Sequence, residues 1–120
     1  MFINLSNHSS KNWSDKQIQE AQKYGRIVDI PFPAVNIDWD TNDYNNLADE
    51  YTEKVLRLDE NITVMVQGEF ALTYKIVSRL MSAGIRCLAA VTKREAVETV
   101  DNEGCSVKTS VFKFEKFMEY

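Results

Sequence analysis

Short apolar runs alternate with longer amphipathic stretches along most of this chain, and that alternation predicts repeated strand–helix units. Phe2 to Leu5 is an apolar run cut off by Ser6-Asn7-His8-Ser9-Ser10, the mark of a short buried strand. Ser14-Asp15-Lys16-Gln17 has the spacing of a capping box. It predicts a helix with Ile18, Ala21 and Tyr24 turned inward and Gly25 as its stop. Ile27 to Ile30 is the second strand, which Pro31 and Pro33 prevent from continuing. After an irregular connection from Ala34 to Trp39, a helix is expected from Thr41 or Asn42 to Leu58. Its inner stripe is Tyr44, Leu47, Ala48, Tyr51, Val55 and Leu58.

The pattern then repeats. Ile62 to Val66 is the third strand, broken by Gln67-Gly68, and Glu69 to Ala83 is a helix with Phe70, Leu72, Val77, Leu80 and Met81 available for packing. Gly84 closes it. Ile85 to Val91 is apolar nearly throughout, as expected of a strand buried on both faces. Beyond a loop at Thr92-Lys93-Arg94 the pattern changes. Ala96–Val100 and Val107–Phe114 flank Asp101-Asn102-Glu103-Gly104 and read as a hairpin, with a short helix over Arg94–Val100 as the alternative. Together these elements predict one α/β domain over residues 1–120. It is a Rossmann-like three-layer sandwich, a mainly parallel sheet with a C-terminal antiparallel extension.

Composition narrows the function classes. An apolar share of 44% and a charged share of 27% are ordinary for a globular chain. The net charge of −4 argues against a DNA-binding protein. Acidic residues concentrate between Asp38 and Glu60, where only Lys54 and Arg57 oppose them, so the remainder is slightly basic and an anion site is compatible with it. Cys87 and Cys105 lack metal-ligand spacing and are expected to be reduced thiols in a cytoplasmic protein. No run approaches the roughly 20 apolar residues of a membrane-spanning helix, and the polar turn after Leu5 is unlike a secretory leader.

In open parallel α/β sheets, ligands bind beyond the carboxyl ends of the strands. Three segments are expected there: Ser6 to Ser10, Gln67 to Phe70 and Thr92 to Arg94. His8 is the only histidine, and histidine is the side chain suited to moving a proton near neutral pH; an ordinary hydrogen-bonded loop residue is the plainer reading. It has no companions for a metal site, so neither a metal nor another cofactor is expected. Ser6, Asn7 and Ser9 can cradle an anion or simply cap their own loop. Gly68 permits close backbone approach. Glu69 opposes a phosphate but suits a ribose hydroxyl or a base amine. Phe70 can stack on a base, although a Phe in a first helical turn is more often core. Lys93 and Arg94 are the best cations for an anionic ligand, unless they belong to a solvated loop. The apolar tail from Val111 to Tyr120 is either a strand packed in its own sheet or a dimer seam.

Several segments resemble one family. Met1-Phe2-Ile3-Asn4-Leu5-Ser6-Asn7-His8, Val66-Gln67-Gly68-Glu69-Phe70, Thr92-Lys93-Arg94 and Lys108-Thr109-Ser110-Val111-Phe112 are similar to the small type III CRISPR-associated proteins of the Csx-twenty family. These look like a CARF domain standing alone and are grouped with ring nucleases of antiviral defence. The resemblance implies a CARF-like fold and a homodimer with a cyclic oligoadenylate, most simply cyclic tetra-adenylate, across its two-fold axis. It also implies cleavage of that ring. A ribose 2′-hydroxyl can attack the adjacent phosphorus without a metal if the protein aligns the atoms and offsets the developing charge. His8, Lys93 and Arg94 are then the candidate catalytic groups. Ser6, Asn7, Ser9, Gln67, Gly68, Glu69, Phe70 and Thr92 are the candidate ligand-binding ones. Two other readings remain: a module that binds the same messenger without turnover, and a protein-interaction domain using the acidic helix and the aromatic tail.

Overall fold

The computed structural model describes residues 1–120. Strand β1 (Phe2–Ser6) is followed by one 3-10 turn at Ser10–Asn12 and helix α1 (Asp15–Gln22). Strand β2 (Ile27–Pro31), helix α2 (Thr41–Leu56), strand β3 (Thr63–Gln67) and helix α3 (Phe70–Ser82) come next. The chain ends in two long strands, β4 (Arg86–Val100) and β5 (Ser106–Glu119). All five strands form one sheet in the order β2-β1-β3-β4-β5. The first four run parallel, and β5 is antiparallel to β4.

The predicted punctuation accounts for these boundaries. Ser14 caps α1, its hydroxyl accepting from Gln17 N at 3.2 Å. At the start of α2 the structure adds a cap that the sequence reading does not name, a reciprocal capping box of Asp40 and Asp43. Gly25 has φ +119°, and a Cβ there would lie 2.8 Å from Met1 N, so the return from α1 to β2 requires glycine.

Strand alternation splits the core into two layers. Ile3, Leu5, Val64 and Val66 face Ala48 and Val55 of α2 and Leu72, Ile76, Val77 and Leu80 of α3. Phe2, Met65 and Leu88 face Ala21 of α1 on the opposite side, where Trp13, Tyr24 and Phe117 complete an aromatic cluster around Phe2. Between the two helices of the larger layer, Lys75 Nζ donates to Asn45 Oδ1 at 2.7 Å, and Arg79 Nε pairs with Asp49 Oδ1 at 2.6 Å.

The structure corrects three expectations. Thr92-Lys93-Arg94 is not a loop, because β4 runs through it to Val100, with an irregularity in its pairing to β5 between Val91 and Thr92. The alternative helix over Arg94–Val100 does not form. Those residues pair instead with the antiparallel β5, and they are β-branched at Val97, Thr99 and Val100. Phe70 and Met81 are not core residues: Phe70 is 91% exposed, and the inner stripe of α3 is Leu72, Thr73, Ile76, Val77 and Leu80. No helix is long and apolar enough to cross a membrane.

Candidate functional site

The connections leaving β1 and β3 part in opposite directions across the sheet, which opens a crevice where their carboxyl ends meet. A cavity of about 540 Å³ lies there, on the α1 side. Pockets of roughly 300–1,000 Å³ are the usual size for small-molecule binding. Ser6, Asn7 and His8 from the β1 end form one wall, and Gln67 and Gly68 from the β3 end form the floor. Thr92 and Phe112 from the long ribbon form the third side, so that all three predicted segments contribute. Asn12, Trp13 and Gln17, in and before the first turn of α1, close the fourth.

A hydrogen-bonded network fixes the wall that carries His8. Asn4 is 1% exposed, and its amide donates to Asp29 Oδ1 at 2.9 Å and to His8 O at 2.8 Å. The Ser6 hydroxyl donates to Asn4 Oδ1 at 2.6 Å and accepts from His8 N at 3.2 Å. On β2, the Asp29 carboxylate accepts from the hydroxyls of Ser9 and Ser10 and from Ser10 N. Burial pushes Asp29 up, but the bonds from Asn4, Ser10 and Ser9 outweigh it and hold the carboxyl below its ordinary value. The loop is thereby tied to both strands, while the His8 ring projects free of any intramolecular hydrogen bond and is exposed.

Gln67 has a structural task as well as a position on the floor. β3 and β4 pair from Thr63 and Arg86 as far as Met65 and Leu88. Past that point Gln67 bridges them, its Oε1 accepting from Ala90 N at 2.8 Å and its Nε2 donating to Ala90 O at 3.5 Å. Gly68 is required less by a ligand than by Phe32: a Cβ on Gly68 would lie 2.4 Å from the Phe32 ring. Glu69 is the N-cap of α3 and accepts from Ala71 N. Tyr44 of α2 lies near this carboxylate; burial, then the Glu69 charge, raises its phenol.

The remaining candidates fall outside the cavity. Ser9 caps the 3-10 turn and lines a smaller cleft of about 320 Å³ with Asn4, Asp29 and Phe32. Glu69 and Phe70 do not line the main cavity. Lys93 lies opposite Lys113 on the ribbon face turned away from Thr92, because adjacent strand residues point to opposite sides. Arg94 shares the Thr92 face, opposite Phe112, with its Nε donating to Ser110 Oγ at 2.9 Å. The main cavity is therefore lined without a cation or a carboxylate, by amides, hydroxyls, one imidazole and the rings of Trp13 and Phe112. Such a lining suits a flat, hydrogen-bonding ligand such as a nucleobase. No group of three or more His, Cys, Asp and Glu gathers anywhere in a metal-binding arrangement.

Sequence reasoning missed Asn4 and Asp29, Asn12, Trp13, Gln17 and Phe112. The signal for the first pair was legible: each is a polar residue inside an apolar strand, a position that must be hydrogen-bonded. Phe112 reaches the cavity only because β5 folds back to place it opposite Arg94.

Residues 1–118 match the model of the family described as "Uncharacterized protein MJ1673 family". No curated protein and no solved structure matches the chain.

Proposed function

The chain belongs to the MJ1673 family, whose description names no activity, and we propose from its cavity that it is a ring nuclease that binds and cleaves a cyclic oligoadenylate, most simply cyclic tetra-adenylate. The observation that carries this reading is the convergence of His8, a set of side-chain amides and two aromatic rings in one cavity at the carboxyl ends of β1 and β3. On this reading the domain is a Rossmann-like, CARF-like one in cytoplasmic antiviral defence. An adenine base stacks by Trp13 or Phe112, and Asn7, Asn12 and Gln17 hydrogen-bond its edge or the ribose. A whole ring exceeds a cavity of about 540 Å³, so two copies share it.

The reaction needs few parts. The ribose 2′-oxygen bonds to the adjacent phosphorus, the bond from phosphorus to the 5′-oxygen breaks, and the products carry a 2′,3′-cyclic phosphate and a 5′-hydroxyl. His8 takes the 2′-proton or returns one to the 5′-oxygen. Arg94, on the cavity side of the ribbon, is the cation positioned to approach a phosphate at the rim, whereas Lys93 points the other way.

Incubating purified protein with cyclic tetra-adenylate, followed by chromatography, tests the reading. Linear products ending in a 2′,3′-cyclic phosphate are expected, and His8→Ala should lower turnover by about 10²–10⁴-fold while binding changes little. An unaltered rate in that variant removes His8 from the mechanism. The absence of both cleavage and a thermal shift removes the nucleotide reading and leaves a protein-interaction domain. One observation favours a second reading, a module that binds the messenger without turnover: no cation lines the cavity to offset charge at a cleaving phosphate. Tight binding with an intact ring would establish it.

A further inference from the structure

Beyond Leu88 the β4–β5 ribbon leaves the sheet. β3 stops pairing with β4 there, and residues 92–114 continue as two strands with both outer edges free. A two-stranded ribbon without a third strand or a covering helix is marginal in water. This one is also apolar in places where a solvated ribbon would be polar: Val100 is 70% exposed and Phe112 65%. Val97, Val107 and Val111 share the opposite face, since they pair with Thr109, Thr99 and Glu95 in the same alternation.

The whole molecule carries surface to spare. Its accessible area is 7974 Å². A folded monomer of 13.8 kDa exposes about 6,600 Å². The excess of about 1,300 Å² is above the roughly 800 Å² that each partner of a standard complex buries and in the range of an obligate homodimer. The radius of gyration, 17.0 Å, likewise exceeds the about 14 Å of a compact chain of this length.

Charge along the ribbon identifies the occupant. Glu95 is neutralised by Lys113 at 2.9 Å, and Glu98 stands opposite Lys108. What remains is Lys93 and Arg94 at the base and Asp101 and Glu103 at the tip, about 26 Å away along the strand. The ribbon is thus neutral overall and polarised end to end, which attracts neither a polyanion nor an anionic membrane. A second identical ribbon laid antiparallel brings acidic tip to basic base twice, as a two-fold axis requires.

We propose that residues 92–114 form an arm that clasps the arm of a second copy, antiparallel, with Asp101 and Glu103 of each beside Lys93 and Arg94 of the other. The clasp goes beyond the nuclease reading and does not depend on it. It covers the face that carries Val97, Val107 and Val111.

Sedimentation of the full chain without nucleotide, across a dilution series and at two salt concentrations, tests it. Twice 13.8 kDa is expected, with association weaker at high salt. Asn102→Lys with Glu103→Lys reverses the tip, and Lys93→Glu with Arg94→Glu reverses the base. Each double variant should weaken association by about tenfold or more, and mixing the two should restore it, because opposite charges then meet again. The mixing arm also shows that both variants are folded. A single-chain mass at every concentration overturns the proposal. So does a reversed tip that associates like the parent, or a mixture that stays apart. The cyclic tetra-adenylate assay on the parent protein fails or succeeds separately.

Discussion

At the scale of single residues, the most consequential group is Asp29. It lies outside the main cavity, yet with Asn4 it holds the loop that carries His8. Its folded-state carboxyl titrates below the ordinary 3.8, because the donated hydrogen bonds outweigh burial. The stabilisation is therefore fully present above that value and is lost as pH falls through the folded-state value. Unfolding midpoints measured from about pH 5 to pH 2 should fall less steeply in Asp29→Asn than in the parent; equal slopes would show that the network contributes no pH dependence. The cysteines form a second residue-scale contrast. Burial pushes the Cys87 thiol up to about 11, whereas Cys105 is exposed in the arm's turn. Mass spectrometry after alkylation at neutral pH should find one label in the native protein and a second only after denaturation, since the thiolate is the reactive form.

At the scale of elements, the β3–α3 junction shows how one position serves both packing and the site. Gly68 lines the cavity and at the same time receives the Phe32 ring from the β2–α2 connection. Gly68→Ala drives a methyl into that ring and should cost about 1–3 kcal/mol in chemical denaturation, as overpacking does. Adding Phe32→Leu should recover part of the loss; no recovery would mean that the cost arises elsewhere. The same junction explains Phe70. Periodicity assigns it to the packed stripe, but α3 is rotated so that Leu72, Ile76 and Leu80 meet the sheet, and Phe70 is left in solvent at the helix start.

At the scale of the whole molecule, stability is unevenly distributed. β1 and β3 are buried on both faces and paired on both edges, whereas the arm has only its own two strands. Amide hydrogen exchange should accordingly be fast over residues 94–100 and 106–112 and slowest at Leu5 and Val64. If the arms clasp, protection of the arm should rise with protein concentration while that of β1 does not. Protection of the arm equal to that of β1 in dilute monomer would contradict the marginal ribbon described above.

Much of the architecture was legible from the chain alone. Apolar runs of fixed length, the capping residue Ser14 and glycine stops mark the elements locally, because backbone hydrogen bonding and side-chain periodicity act over a few residues. The three segments that meet at the cavity followed from the same local order, since parallel strands joined by right-handed crossovers must end on one side. What only the tertiary structure decided was orientation. The antiparallel return of β5 drew Thr92–Arg94 out of a loop and into a strand, which turned Lys93 away from the cavity and brought Phe112 onto it. Strand pairing is a contact between residues distant in sequence, and a side chain's face depends on a register that no local pattern encodes.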